Sequence, residues 1–369
     1  MEQGECPLED VGIRPAFWKD KRVLITGHTG FKGAWLSLWL QELGASPIGY
    51  ALDPPTKPSL FEVADVARGM VSIQGDVRDL EKVREVIDLQ KPEIVIHMAA
   101  QSLVRESYER PVETFATNVL GTVNVLEALR ENRATRVMIN VTSDKCYENK
   151  ERLQGYGEDD PLGGHDPYSS SKACSEIVTA AYRKSFFSGS GDHPLLAVAT
   201  ARAGNVIGGG DWAKDRLVPD IIGSLNSGVS PLIRNPTAIR PWQHVLDPLH
   251  GYLMLAERSW DSGASFANAW NFGSDNSENK PVSWVAEALC RRWGGEVKWR
   301  QDMTKHSHEA HMLRLDTTKA RTLLKWRPQL PIDIALDWIV EWHQAYERGE
   351  RMRDLTVAQI RRFQELAAA

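Results

Sequence analysis

Two residues in the middle of the chain have the types and spacing needed for proton transfer. Tyr168 and Lys172 stand four apart, just after Asp166 and Pro167, a typical N-cap and first-turn pair, so one helical face should carry both. A free tyrosine has a pKa of about 10, but a nearby ammonium and a helix N-terminus both favour its phenolate. The pair is therefore predicted to remove a proton from a hydroxyl. A buried tyrosine beside a surface lysine is the structural alternative.

A second polar group lies upstream of this pair. Residues 142–147, TSDKCY, follow an apolar run at 136–141 that predicts a buried β-strand. Ligands of parallel sheets bind in the crevice beyond the carboxyl ends of the strands, so Ser143 and Asp144 are predicted to face that crevice. This placement favours the catalytic interpretation of Tyr168 and Lys172.

The element that must position these groups is a strand, a glycine turn and a helix at residues 21–44. The apolar run at 22–26 breaks at GHTGFKG, residues 27–33, and an amphipathic helix follows that stops at Gly44. Glycines let a pyrophosphate approach the backbone, where its charge meets free N–H groups at the helix N-terminus. The triplet Gly27, Gly30 and Gly33 alone could be an ordinary turn. Its flanking strand and helix favour a dinucleotide site.

An acidic residue supports the same interpretation. Asp53 ends a second apolar run at 47–52, 20 residues beyond Gly33, near where such folds place a carboxylate on the adenosine ribose. A 2′-phosphate would meet this negative charge, so NAD is favoured over NADP. A turn aspartate before Pro54 and Pro55 is the alternative.

Strands and helices alternate through the first half of the chain. Apolar runs at 71–75 and 94–98 predict further strands, a helix should end near residue 89, and a long helix should span about 111–130. A further helix is predicted at about 317–325. We therefore predict an α/β fold with a doubly wound parallel Rossmann-type sheet and a smaller mixed α/β C-terminal substrate lobe. The NAD-binding domain should comprise residues 17–205 and about 240–275, and the lobe residues 206–239 and 276–350. Residues 1–16 read as a polar leader and residues 351–369 as a surface helix.

Composition restricts the class of partner. The formal net charge of −5 argues against electrostatic capture by nucleic acid, and no apolar run is long enough to cross a membrane. Four cysteines without a CxxC pair indicate reduced thiols, so a cytoplasmic protein is predicted.

The motifs together resemble the extended short-chain dehydrogenase/reductase family, and within it the nucleotide-sugar 4,6-dehydratases. The similarity covers about residues 20–345 and also includes RAGN at 202–205, RPWQHVLD at 240–247 and DTTKA at 316–320. It implies NAD as cofactor and a homodimer or a dimer of dimers. The implied cofactor-binding residues are Gly27, Thr29, Gly30, Phe31, Lys32, Gly33, Asp53, Asp76, Val77, Ala99, Ala100, Gln101, Asn118, Tyr168 and Lys172.

The resemblance also implies a reaction. Tyr168 and Lys172 would support oxidation at C4 of a glucose nucleotide, and Ser143 would hydrogen-bond the same oxygen. The C4 ketone acidifies C5–H, so that water can leave from C6 with Asp144 as the acid, before hydride returns to C6. The implied substrate-binding residues are Gln101, Ser143, Asn205, Arg216, Arg240, Glu309 and His311.

Lys145 distinguishes branches of this family. The dTDP-glucose dehydratases carry a T-D-E stretch where this chain has Ser143, Asp144 and Lys145. That departure, with GHTGFKGAW at 27–35 and HEAH at 308–311, resembles the CDP-glucose branch, which implies CDP-glucose as substrate and deoxysugar biosynthesis, such as that of lipopolysaccharide O-antigens. It leaves the C5 base open, with Lys145 the candidate by position.

Other interpretations of the sequence are a metal site, a 4-epimerase, a dehydratase for another nucleotide sugar, and a regulator. His306, His308, Glu309 and His311 lack zinc-ligand spacing, so no metal is predicted. A nucleotide-sugar 4-epimerase would need Tyr168 and Lys172 but no acid after Ser143, and a dehydratase could also act on dTDP-, UDP- or GDP-sugars. A dinucleotide-sensing regulator without turnover would be expected to lose the Tyr/Lys pair.

Overall fold

The computed structural model describes residues 12–187, 196–275, 278–304 and 312–368. Its first five strands are those that the apolar runs predict, the long strand at 197–202 was not predicted, and short two-stranded ladders lie beside the main sheet. The strands are β1 (Arg22–Thr26), β2 (Ser46–Ala51), β3 (Val71–Gln74), β4 (Ile94–His97), β5 (Val137–Val141), β6 (Ala197–Arg202), β7 (Val206–Ile207), β8 (Leu232–Ile233), β9 (Ile239–Pro241), β10 (Gln243–His244), β11 (Ala269–Asn271), β12 (Asn279–Pro281) and β13 (Arg300–Gln301).

Helices cover both faces of the sheet. They are α1 (Pro15–Trp18), α2 (Phe31–Glu42), α3 (Leu60–Val63), α4 (Leu80–Gln90), α5 (Val104–Glu109), α6 (Pro111–Phe115), α7 (Gly121–Glu131), α8 (Pro167–Phe186), α9 (Leu217–Asn226), α10 (Leu246–Ser262), α11 (Val282–Trp293), α12 (Ile332–Glu347) and α13 (Met352–Ala368). None of these described helices is long and apolar enough to cross a bilayer.

The central sheet has seven parallel strands in the order β3-β2-β1-β4-β5-β6-β11. This order confirms the predicted doubly wound Rossmann-type fold. The strand order reverses between β1 and β4, and the crevice beyond the carboxyl ends of these two strands is where such folds bind ligands. The glycine turn follows β1, and Ser143 and Asp144 follow β5, so the sheet brings both groups to one edge.

A second hydrophobic core lies beside the one that covers the sheet. It includes Ile221 on α9, Leu289 on α11 and Ile339 on α12. An adjacent face of α12 contributes Trp338 and Trp342 to the main core, so this helix joins the two cores. A mixed α/β region next to the sheet agrees with the predicted lobe, and the predicted domain boundaries stay a prediction.

Three segments differ in detail from expectation. The C-terminal helix is not a surface helix, because α13 buries Ile360 and Phe363 completely in the main core. The predicted helix at 111–130 contains a π-helical stretch, Ala116–Leu120, between α6 and α7. The predicted helix at 317–325 is largely a π-helical stretch, Ala320–Leu324.

Asp247 joins the sheet domain to the chain that enters α12. Its carboxylate accepts a hydrogen bond from the Gln329 backbone N–H at 2.6 Å, and its second oxygen has no partner among the described residues. Burial raises the pKa of Asp247 to about 7, although the backbone N–H groups of Gln329 and Leu330 oppose that rise.

We predict that Asp247 makes the protein less stable as pH rises from about 4 to about 7. The folded state keeps a proton on this carboxyl that the unfolded chain has already lost, so the free energy of unfolding falls through this window and levels off above it. Asp247→Asn should therefore gain stability relative to wild type between pH 5 and pH 7, as melting temperatures will show. A constant difference across that range, matching an exposed Asp88→Asn control, would contradict the assignment.

Candidate active site

The glycine turn after β1 depends on close backbone contacts. Gly27 has a φ of +77°, and a Cβ there would lie 2.8 Å from the Ala99 nitrogen. A Cβ on Gly33 would lie 2.2 Å from the Gly27 carbonyl oxygen, so α2 can begin this close to β1 only with glycine there. Gly30 caps α2, and a Cβ there would meet only the Gly27 carbonyl, at 3.4 Å. The turn therefore leaves open space at the N-terminus of α2.

Several of the predicted cofactor-binding residues lie at neighbouring strand ends. Asp53 is exposed two residues beyond β2, and the Thr29 hydroxyl donates to the Leu52 carbonyl at 2.9 Å, which ties the glycine turn to this strand end. Asp76 follows β3 and pairs with Arg78. Val77 is buried. The structure thus brings these predicted residues to one edge of the sheet.

The π-helical stretch positions Asn118 beneath the loop after β4. The Asn118 side chain accepts from the Gln101 N–H and donates to the Gln101 carbonyl, both at 2.9 Å, and donates to Ser171 on α8 at 2.8 Å. The Gln101 side-chain amide is engaged by Leu103 and Thr114. Through these hydrogen bonds Gln101 fixes the loop that carries Ala99 and Ala100, both of which are half-buried.

The predicted proton-transfer residues converge beyond β5. Ser143 caps a single 3-10 turn, Asp144–Cys146, and its hydroxyl donates to the Asp144 carboxylate at 3.0 Å. Tyr168 is buried on α8, and the Ser143 side chain lowers its pKa. The Lys172 ammonium donates to the Val141 carbonyl at 3.2 Å. Asp166 caps α8 as expected, accepting from the backbone N–H of the third helical residue.

The pKa of Tyr168 differs from expectation. Burial raises it to about 12; Ser143 and the charge of Arg216 lower it, and Asp144 raises it further. Burial of the phenol therefore outweighs the two groups that lower this pKa, Ser143 and Arg216. Burial also lowers the pKa of Lys172 to about 8, against the opposing charge of Glu176.

Lys32 reaches the catalytic end of the crevice. Its ammonium donates to the Tyr252 hydroxyl on α10 at 3.1 Å. Burial lowers the pKa of Lys32 to about 7, assisted by the charges of Lys172 and Arg216 and opposed by Asp144. The side chain of this glycine-turn residue therefore lies among the proton-transfer groups.

The wall behind Asp144 is formed by Gly204 and Asn205. Asp144 is almost fully buried, and a Cβ on Gly204 would lie 1.9 Å from its carboxylate oxygen Oδ2. Asn205 has a left-handed φ of +49°, and its side-chain amide approaches the same oxygen at 3.4 Å. The predicted substrate residue Asn205 thus belongs to the surroundings of the predicted acid.

A buried ion pair supports this cluster. Arg202 at the end of β6 and Glu176 on α8 pair at 2.8 Å, and both side chains are 3% exposed. Glu176 also accepts from Thr142 and Thr200. Burial alone would raise the pKa of Glu176, but Arg202 and the two hydroxyls lower it overall. The sequence shows RAGN at 202–205 but gives no sign that Arg202 meets Glu176.

The other predicted residues lie around this cluster. Lys145 is half-buried, and its backbone N–H donates to the Ser143 hydroxyl at 3.2 Å. Arg216 bonds Asp211 and the Ser102 hydroxyl, the latter at 2.9 Å. Arg240 lies on β9, three residues before the buried Gln243. Glu309 and His311 lie outside the described residues, and no group of three His, Cys, Asp or Glu side chains in the described part could hold a metal.

Comparison with known proteins agrees with this geometry. The family model described as GDP-mannose 4,6 dehydratase matches residues 24–337. The CDP-glucose 4,6-dehydratase of Salmonella typhimurium is 52% identical over 337 residues, which cover 91% of this chain and 94% of that protein. The UDP-glucose 4-epimerase of Halalkalibacterium halodurans is 25% identical over 336 residues, 89% of this chain and 97% of that protein.

A solved structure shares the fold. The dTDP-glucose 4,6-dehydratase of Bacillus anthracis, in complex with NAD, superposes with a TM-score of 0.73 at 20% sequence identity. The match covers 91% of this chain and 99% of that one.

We predict that neutralising Glu176 destabilises the protein strongly. Glu176→Gln leaves Arg202 charged and buried, and breaking such a pair costs about 3–5 kcal/mol. Urea denaturation will measure the loss. The matched control is Glu81→Gln, because Glu81 pairs with Arg84 at 2.8 Å but is 82% exposed, and exposed pairs contribute little. Equal losses in the two variants would show that burial of the Arg202 pair is unimportant.

Proposed function

We propose that this chain, which belongs to the GDP-mannose 4,6-dehydratase family of extended short-chain dehydrogenases/reductases, is an NAD-dependent CDP-glucose 4,6-dehydratase. It is a hydro-lyase that converts CDP-glucose to CDP-4-keto-6-deoxyglucose. The observation that carries this proposal is the buried Asp144, which accepts a hydrogen bond from Ser143, the residue that lowers the pKa of the buried Tyr168. An epimerase needs the redox pair but not this acid.

The glycine turn and its neighbours fit NAD. Open space at the N-terminus of α2 suits a pyrophosphate, and the exposed Asp53 suits two ribose hydroxyls. When bound, NAD supplies the hydride acceptor for C4 and the hydride donor for C6. We assign its binding to the fifteen residues given above, among which Gly27, Gly33 and Asp53 have the clearest physical roles.

Oxidation at C4 requires removal of the hydroxyl proton. Tyr168 accepts this proton, and the Ser143 hydroxyl that already lowers the pKa of Tyr168 stabilises the phenolate. Lys172, held by the Val141 carbonyl, stabilises the same negative charge when protonated. The buried Glu176 raises the pKa of Lys172 against the effect of burial and so favours that protonated form.

Loss of water requires an acid at C6 and a base at C5. We assign the acid to Asp144, because its carboxyl is held in the cluster by Ser143 and Gly204. We assign the base to Lys145, which is half-buried one residue further along the same 3-10 turn. As a neutral amine Lys145 could take the C5 proton, whereas as an ammonium it would instead stabilise the oxygen at C4.

Substrate contacts are assigned on charge and position. The charge of Arg216 lowers the pKa of both Tyr168 and Lys32. We therefore assign its guanidinium to an anionic group of the substrate. Arg240 is assigned to the diphosphate, since guanidinium binds phosphate oxygens bidentately. Gln101, Ser143 and Asn205 border the crevice, and Glu309 and His311 remain assigned to the nucleotide.

The direct test is product identification. Purified protein is incubated with NAD and, separately, with CDP-, dTDP-, UDP- and GDP-glucose, and products are identified by mass spectrometry and NMR. A 4-keto-6-deoxy product from CDP-glucose in preference to the others supports the proposal. A C4 epimer without loss of water would overturn it in favour of a 4-epimerase.

We predict that Asp144→Asn separates oxidation from elimination. Asparagine keeps the size of the side chain but removes the transferable proton, so loss of water should slow by roughly 10²–10⁴-fold, as is typical for a missing general acid. Rapid-quench mass spectrometry should then detect CDP-4-ketoglucose together with reduced cofactor. Dehydration at the wild-type rate would remove Asp144 from the reaction.

We predict that Lys145→Met abolishes exchange of the substrate C5 hydrogen with solvent deuterium, because methionine cannot accept the proton. Lys145→Glu should restore part of this exchange, since a carboxylate can act as the base. NMR of recovered substrate and product measures both. Normal C5 exchange in the methionine variant would exclude Lys145 as the base.

We also propose that the protein forms a homodimer or a dimer of dimers. We further propose that it works in the cytoplasm, in deoxysugar biosynthesis such as that of O-antigens. Exposed apolar side chains on neighbouring helices support assembly: Val112 is 81% exposed, Leu120 58% and Ile177 55%. The free thiols of Cys146, Cys174 and Cys290 suit a reducing compartment. A monomer by light scattering at micromolar concentration would refute the assembly.

A further inference from the structure

Gln243 has a buried amide that joins the ends of two strands. It lies on β10, is 2% exposed, and donates both side-chain N–H groups to backbone carbonyls, those of Gly204 and Phe272, each at 3.0 Å. Gly204 follows β6 and Phe272 follows β11, the two last strands at one edge of the sheet. The Gln243 backbone N–H also donates to the Asn205 carbonyl at 3.3 Å. One residue therefore holds both Gly204 and Asn205.

The segment that Gln243 holds is the wall behind Asp144. The α-carbon of Gly204 packs against the Asp144 carboxylate so closely that a Cβ would overlap it, and Asn205 directs its amide at Oδ2 of the same group. Asn205 keeps a left-handed φ, which is costly for any residue other than glycine and needs support from its surroundings. The position of the acid thus depends on a short backbone segment whose two carbonyls are held by Gln243.

We propose that Gln243 is a positioning residue for the elimination of water: it acts through Gly204 and Asn205 to hold the Asp144 carboxyl in line with the departing C6 hydroxyl. This inference rests on the proposed function, because Asp144 is the acid only in a dehydratase. The hydrogen bonds of Gln243 reach Gly204, Phe272 and Asn205 but neither Tyr168 nor Lys172, so we expect elimination to depend on Gln243 more than C4 oxidation does.

The chemistry of the contact requires the amide. Two carbonyl oxygens face the NH₂ group, and the Gln243 Oε1 has no hydrogen-bond partner among the described residues, so only the donor half of the side chain is used. A glutamate at this position would direct a carboxylate oxygen at the two carbonyl oxygens, which have no proton to donate. A leucine of similar size would leave both carbonyls without a donor.

The experiment compares Gln243→Leu and Gln243→Glu with wild-type holoenzyme on CDP-glucose by rapid quench. We expect C4 oxidation to proceed near the wild-type rate, with KM unchanged. Loss of water should slow by up to about a hundredfold, the effect of a misplaced catalytic group. Reduced cofactor and CDP-4-ketoglucose should accumulate.

The matched control is Gln359→Leu. Gln359 on α13 is also fully buried, donates to the Trp338 carbonyl at 3.0 Å and has an unpartnered Oε1. Its loss should lower the melting temperature without accumulation of the ketone. If Gln243→Leu behaves like this control, or slows oxidation and elimination equally, Gln243 has only a structural role and the inference fails.

Hydrogen–deuterium exchange separates this inference from the proposed function. Amides of residues 203–207 should exchange faster in Gln243→Leu than in wild type, and unchanged exchange would overturn the inference whatever the activity. If wild-type protein makes no 4-keto product from any nucleotide sugar, the proposed function fails, and the elimination role of Gln243 fails with it. Faster exchange of residues 203–207 in that case would show that Gln243 holds this segment although the protein does not run the proposed reaction.

Discussion

The ion pair between Arg202 and Glu176 is the interaction on which the rest of the site depends. Removing two charges from water costs several kcal/mol per ion, so such a pair persists only where close geometry and further hydrogen bonds compensate. Here Thr142 and Thr200 donate to Glu176, and Arg202 donates to the Tyr147 hydroxyl at 2.7 Å. The pair therefore joins β6, α8 and the turn after β5.

This connection sets the orientation of α8. Glu176 lies one helical turn after Lys172 and two after Tyr168, so fixing Glu176 against Arg202 also fixes the rotation of the face that carries both. The same segment of chain continues from Arg202 to Gly204 and Asn205 behind Asp144. Tyr168, the proposed base, and Asp144, the proposed acid, are thus held from the two sides of one buried charge pair.

Burial governs the electrostatics of the crevice. It is the largest influence on the pKa of Tyr168, Lys172 and Lys32, and in each case it favours the uncharged form. Charge can develop there only where an opposite charge or a hydrogen bond offsets the loss of water. Glu176 does this for Lys172, and Ser143 does it for Tyr168. The positions of these partners therefore decide which group can hold a proton.

Much of the fold was determined by the sequence alone. Apolar runs predicted β1 to β5, because local periodicity reports which faces of a segment are buried. The glycine turn predicted the start of α2, and the capping pair Asp166 and Pro167 predicted the start of α8. The same patterns placed Ser143 and Asp144 beyond a strand end and Tyr168 and Lys172 on one helical face. They do not report what a buried face packs against. The pairing of Arg202 with Glu176 spans 26 residues, and the contact of Lys32 with Tyr252 spans 220, so only the tertiary structure could decide them. The pKa of Tyr168 was misjudged for this reason: a neighbouring lysine is visible in the sequence, whereas desolvation depends on everything that closes around the phenol.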